Sequence, residues 1–215
     1  MFTSSSGYAL VKQEIGQFLV QNSFHPYKSA TYYRTTPGGI LQFFLFQKGT
    51  QSLKDQLTIN VVIQGLYSPA CSFTVLQPGG RFGKFIPPGK DIWWHCNDEE
   101  STSHCISELR HRLSTILLPD LQQRMSSADQ LITTFNAPQY SFLWRGQNTF
   151  IDQGYTYLMA QKYTEALDLF CRNRPTKVNR FKTIQKWIEQ KQFDQFDHLL
   201  EENIQYHKNK LKLKD

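Results

Sequence analysis

The stretch Ile40–Tyr67, ILQFFLFQKGTQSLKDQLTINVVIQGLY, decides the fold. From Leu57 to Gln64 the odd positions, Leu57, Ile59, Val61 and Ile63, are apolar, and the even positions are Thr58, Asn60, Val62 and Gln64. A period of two predicts a strand with one buried face and one largely polar face. Ile40 to Phe46 is apolar on both parities, which predicts a central strand covered on both sides. Lys48 to Lys54, rich in Gly, Thr, Gln, Ser and Lys, is the loop between them, so the stretch predicts an antiparallel pair.

Working outward toward the N-terminus, Tyr8, Val11, Ile15 and Phe18 recur at helical spacing and predict an amphipathic first helix ending near Asn22. His25-Pro26 breaks it, Ala30–Arg34 is a short Tyr- and Thr-rich strand, and Pro37-Gly38-Gly39 turns into the central strand. Beyond Tyr67, Ser72–Leu76 and Arg81–Ile86 are candidate short strands between Pro/Gly turns, followed by Asp91-Ile92-Trp93-Trp94. Asn97 and Glu100 have capping-box spacing for a second helix, with Ile106, Leu109, Leu113 and Ile116 as its buried stripe. Pro119 ends or kinks that helix, and Leu121, Met125, Ala128, Ile132 and Phe135 mark a third.

The fold class expected is α+β: an antiparallel sheet of four or five strands, helices packed on one face, and an all-helical C-terminal extension. The expected layout is a sheet domain over 1–136, a connector over 137–146 and a helical hairpin extension over 147–215 docked on that domain. In the extension, Phe150, Gly154, Tyr157, Tyr163, Ala166 and Phe170 fall at the spacing of a tetratricopeptide repeat. Trp187, Phe193 and Leu200 take the places of Tyr157, Tyr163 and Phe170 in a weaker second copy, where Ile184 and Phe196 replace the small residues. A plain helical hairpin fits the same pattern. Lys208, Lys210, Lys212 and Lys214 read as a frayed, solvated end.

The chain of 215 residues carries 24 Lys+Arg against 18 Asp+Glu, and the excess sits in the first 97 residues and at the extreme C-terminus. That balance permits nucleic-acid binding without arguing strongly for it. No apolar run approaches the roughly 20 residues of a spanning helix, so no membrane is expected. Met1–Tyr8 has no basic region or apolar core of a signal peptide, and the cysteines form no C-x-x-C pair. The expectation is a cytoplasmic protein with reduced thiols.

Phe46-Gln47-Lys48, Leu57-Thr58-Ile59-Asn60, Arg81 with Gly83, and Asp91-x-Trp93-Trp94 before an acidic-capped helix resemble a mostly bacterial family, domain of unknown function 4304. Tyr32-Tyr33-Arg34 and the first helix fit it too, so the resemblance covers about residues 8–120. It implies a small α+β sheet domain and no particular reaction. By class analogy, some bacterial families of this size are immunity proteins that block a partner toxin.

Candidate chemistry is sparse. His95-Cys96 and His104-Cys105 offer two thiols and two imidazoles, but adjacent residues point apart and the usual chelate spacing is missing. His104, Glu108 and His111 share a helix face without the H-E-x-x-H arrangement. Cys71 sits in a loop with no partner base. There is no nucleophile elbow, P-loop or dinucleotide fingerprint. No catalytic residue, metal or cofactor is assigned. The polar face of the second strand, with Arg34, Lys48, Asn60, Gln64, Arg81, Trp93 and Trp94, is the candidate partner-binding groove, because aromatics beside Arg and Lys anchor proteins or stack bases. The competing expectation is that the Trp side chains cap the core and the polar residues are merely wet. The functional readings, in order, are a non-catalytic module for a protein partner, a nucleic-acid-binding accessory protein, and an enzyme with an unrecognised site.

Overall fold

The computed structural model describes residues 2–28, 30–69, 71, 78–146, 149–173 and 180–213. Helix α1 (Ser4–Gln21) opens the chain, with Thr3 as N-cap in a reciprocal capping box with Ser6 and Asn22 as C-cap. Its buried stripe is Val11, Ile15 and Leu19, with Gly7 and Gly16 beside it. A Cβ on Gly7 would lie 2.0 Å from the Cys96 carbonyl oxygen, so only glycine permits this approach.

The fold is α+β, and the sheet has six strands in the order β1 (His25–Tyr27), β2 (Thr31–Thr35), β3 (Ile40–Lys48), β4 (Gln56–Gly65), β5 (Gly79–Arg81), with β6 (Trp94–His95) also on β4. His25-Pro26 is thus an edge strand opposite Tyr32-Tyr33, a position where the missing proline N–H costs no ladder bond. β5 pairs with β4 through Asn60↔Arg81 to Val62↔Gly79, and β6 pairs through Gln56↔His95 and Leu57↔Trp94. Two short pieces thereby line one edge of β4, which is why six strands form where four or five were expected. The expected strand at Ser72–Leu76 lies outside the described residues, and Arg81 ends a strand rather than beginning one.

β4 departs from the expected half-wet strand. Thr58 is 0% exposed, Asn60 7% and Gln64 1%, so both of its faces are covered. The Thr58 hydroxyl donates to the Ile92 carbonyl at 2.9 Å and the Asn60 amide to Gln47 Oε1 at 2.9 Å. Buried polar side chains of this kind are tolerated because neutral partners satisfy them.

Helix α2 (Glu99–Arg112) is capped by Asp98, one residue later than expected, with Ser101 closing the box. Its buried stripe is Thr102, Cys105 and Leu109, continued by Leu113 and Leu117, and Ile106 and Ile116 are only half-buried. A five-residue π-helical turn, Leu113–Leu117, joins α2 to α3 (Leu118–Arg124). Pro119 follows at once; it cannot donate to the carbonyl four residues back, and the wider turn carries the chain past it without a break. The break comes instead at Met125–Ser127, where Ser127 caps α4 (Ala128–Thr134), so the expected third helix is two.

The chain divides into two compact units. The first holds Met1–Arg34, Gln42–Val62 and Gly79–Gln123; the second holds Thr35–Leu41, Ile63–Pro78 and Arg124–Asp215. In the second, the segment expected as a connector is ordered: Trp144 Nε1 donates to Thr134 Oγ1 at 3.1 Å, and its ring meets Phe135 edge-on. Helices α5 (Thr149–Met159) and α6 (Tyr163–Arg172) form one hairpin, and α7 (Phe181–Glu189) and α8 (Asp194–Leu211) a second. Both turn in the same way thirty residues apart. Lys162 N donates to Tyr157 O and Gln192 N to Trp187 O, each at 2.8 Å, past a left-handed residue, Gln161 or Lys191. α8 stays helical through Lys208 and Lys210 and buries Leu211, so those lysines are not a frayed end; Lys214 lies outside the described residues. No described helix is long and apolar enough to cross a membrane.

Candidate binding cleft

The segment before α2 and the first turns of α2 enclose an open cleft of about 520 Å³, lined mainly by Trp93, Trp94, His95, His104, Cys105 and Glu108. β6 fixes Trp94, which is 4% exposed. Its ring meets Phe82 edge-on at 5.6 Å, and its Nε1–H donates to Glu108 Oε2 at 2.9 Å. Glu108 also takes Arg112 Nε at 2.7 Å and lies 3.8 Å from His104 Nε2, so this carboxylate is held on several sides. Trp93, just before it in the chain, is only half-buried. The Arg81 guanidinium sits 5.0 Å from its ring centroid, a cation–π contact, and is itself paired with Asp91, which Lys84 approaches at 3.7 Å.

Three of the seven expected residues, Arg81, Trp93 and Trp94, therefore come together. Asn60 lies across the ladder from Arg81 but is buried, and Gln64 is interior, so the expected open polar face is not open at either position. Thr58 on the same strand is covered as well, and its hydroxyl donates to the Ile92 carbonyl just before the tryptophans. Arg34 lies over the Phe24 ring at 4.6 Å and donates from Nε to Gln42 Oε1 at 2.8 Å; burial lowers its pKa. Gln42 in turn donates to the Leu121 carbonyl at 3.2 Å, which ties β3 to α3. Lys48 is exposed and donates to Ser5 Oγ at 3.0 Å.

The His-Cys pairs split as neighbouring residues do. His95 and His104 are exposed, whereas Cys96 and Cys105 are buried. Burial pushes the Cys105 thiol far up, and Cys96 and Glu108 add to the shift, so it is a protonated core residue rather than a nucleophile. Cys96 Sγ donates to the Asp55 carbonyl at 3.6 Å. Among the described residues no group of three or more His, Cys, Asp or Glu is placed to hold a metal ion.

A second polar group went unseen in the sequence. In the helical unit Ser68 donates to Asp152 Oδ1 at 2.6 Å, Tyr67 donates to Thr156 Oγ1 at 3.2 Å, and Asn203 donates to the Tyr67 carbonyl at 2.8 Å. Burial pushes the Asp152 carboxyl up to about 6, against the Ser68 hydrogen bond that favours its charged form. Nothing in the pattern of α5, TFIDQGYTYLM, marks its one acid as interior; packing alone buries it.

A family model described as domain of unknown function (DUF4304) matches residues 15–123, half of the chain. The chain belongs to this family, and the matched residues include Arg81, Trp93, Trp94, His104 and Glu108, and so the whole cleft. No curated protein matches the chain, and no solved structure does either.

Proposed function

We propose that the chain is a non-catalytic binding module for a protein partner, acting in the cytoplasm, with the Trp93 cleft as its docking surface. The observation that carries this reading is a half-buried Trp93, paired with Arg81, that lines an apolar cleft together with Trp94, which Glu108 locks. Trp and Arg are the residues that most often dominate protein interfaces, and a locked side chain reduces what binding must immobilise. A blocking role against a toxin is one version of the reading. The tail hairpins, with their matching turns and the close Gly154–Phe170 crossing, support a tetratricopeptide-like pair as a second surface.

The test is affinity capture of the tagged chain from its host lysate, with and without nuclease, beside Trp93→Ala. The expected result is a stoichiometric protein that survives nuclease and 0.5 M salt (about ten-fold above the low-salt arm) and is lost with Trp93→Ala. Recovery that disappears with nuclease and weakens steeply with salt overturns it in favour of nucleic acid.

A further inference from the structure

His207 is the one buried side chain among the described residues whose two polar atoms both lack a hydrogen-bond partner. It lies on α8, 1% exposed, inside the helical unit. On its own helix it faces Lys210 and the Tyr206 ring, at 5.1 Å edge-on. From the segment after β4 it faces the Ser68 backbone, which comes near without a hydrogen bond of ordinary geometry, and the same segment carries Tyr67 and Cys71. The Cys71 thiol is pushed far up by burial and the nearby Asp152, so it stays neutral. From α5 the charged group is Asp152, whose Oδ1 is taken by Ser68. No carboxylate is therefore bonded to the ring, and the nearest acting charge is a cation.

We propose that His207 is a proton-sensitive latch on helix α8: the neutral imidazole packs as an apolar ring and holds the helix in the helical unit, and the imidazolium, buried beside Lys210 with no carboxylate to pair it and only the poorly aligned Ser68 backbone near it, drives the helix out. Burying an unpaired charge is costly, and opening the helix to water is the available relief. The direction of titration agrees, since burial first and Lys210 further hold the pKa below 6.5, against the Ser68 backbone. The folded form thus binds this proton less well than the unfolded form. The latch is fully closed above pH 6.5 and weakens as pH falls from there through the depressed value. Release would bare the apolar face of α8, Phe196, Leu199 and Leu200.

The test uses the full chain. Imidazole carbon–proton resonances of the six histidines are titrated by NMR, with His207 assigned from His207→Gln. Amide exchange of α8 is followed by mass spectrometry from pH 7.5 to 5.5, corrected for intrinsic rates and referred to α1. The expected result is a His207 titration below that of the exposed histidines and a loss of α8 protection of about ten-fold or more relative to α1. His207→Leu should keep α8 protected at both pH values, and Asp152→Asn should leave the opening in place. His207 titrating at or above the exposed histidines, unchanged α8 protection in the wild type, or an opening abolished by Asp152→Asn each overturns the latch.

Discussion

The two compact units place their most notable ionisable side chains differently. In the first, the groups around the tryptophans are paired at the surface: Arg81 with Asp91, and Glu108 with Trp94, Arg112 and His104. Their charged ends remain near water, where the cleft can present them to a partner. In the second unit Asp152, Ser68, Thr156 and His207 are interior, where every proton gained or lost is a change in stability. The same contrast holds at the close approaches. Gly7 abuts a backbone carbonyl, which cannot step aside, whereas Gly154 abuts the Phe170 ring, which can rotate or shift at some cost.

The comparison can be broken by mutation, and the largest effect is expected in the first unit. Trp94→Ala should cost about 3–5 kcal/mol in denaturant unfolding, because it opens a cavity beside Phe82 and strips Glu108 of a donor. A loss under about 1 kcal/mol would mean that Trp94 is a surface residue after all. Gly7→Ala should cost about 3 kcal/mol and Gly154→Ala about 1–2 kcal/mol, read from the same melts. The reverse order would show that the Phe170 ring is the more rigid neighbour.

Asp152 sharpens the comparison through pH. Its folded pKa is raised from 3.8 to about 6, so the folded form holds this proton more tightly than the unfolded form does. The stability it brings is complete below about pH 4 and is lost as pH rises through 6, at most about 3 kcal/mol. Asp152→Asn, which keeps an acceptor for Ser68, should flatten that slope and raise the melting temperature at pH 7. The slope from His207 has the opposite sign and begins at 6.5. An unchanged profile in the Asn variant would place the proton elsewhere. The smallest stability effect belongs to Trp93→Ala, under about 1 kcal/mol, because the ring is half-exposed. Its consequence is expected in partner capture alone, so a variant that unfolds would show Trp93 to be part of the core.

Much of the architecture was legible because it rests on short-range chemistry. The alternation from Leu57 to Gln64 and the doubly apolar Ile40–Phe46 are strands, and the acidic cap before α2 is a cap, displaced by one residue. Arg81, Trp93 and Trp94 were legible as candidates because large aromatics beside cations stand out in any sequence. The errors share one cause. Thr58, Asn60 and Gln64 alternate as surface residues do, yet all three are buried, and Thr58 and Asn60 bond to the Ile92 carbonyl and to Gln47, which are not their neighbours in the chain. Asp152 and His207 read as ordinary polar residues of amphipathic helices, and only packing put them inside.

The sequence by itself determined the class, the α+β order, the main strands and helices, and family membership, because hydrophobic period, turn residues and caps act over a few neighbouring positions. Only the tertiary structure decided which polar residues are wet, which tryptophan is buried and which half-buried, and that a buried acid and an unpartnered imidazole share one unit. Burial and pairing arise between residues far apart in the chain, and no local pattern records who their neighbours will be.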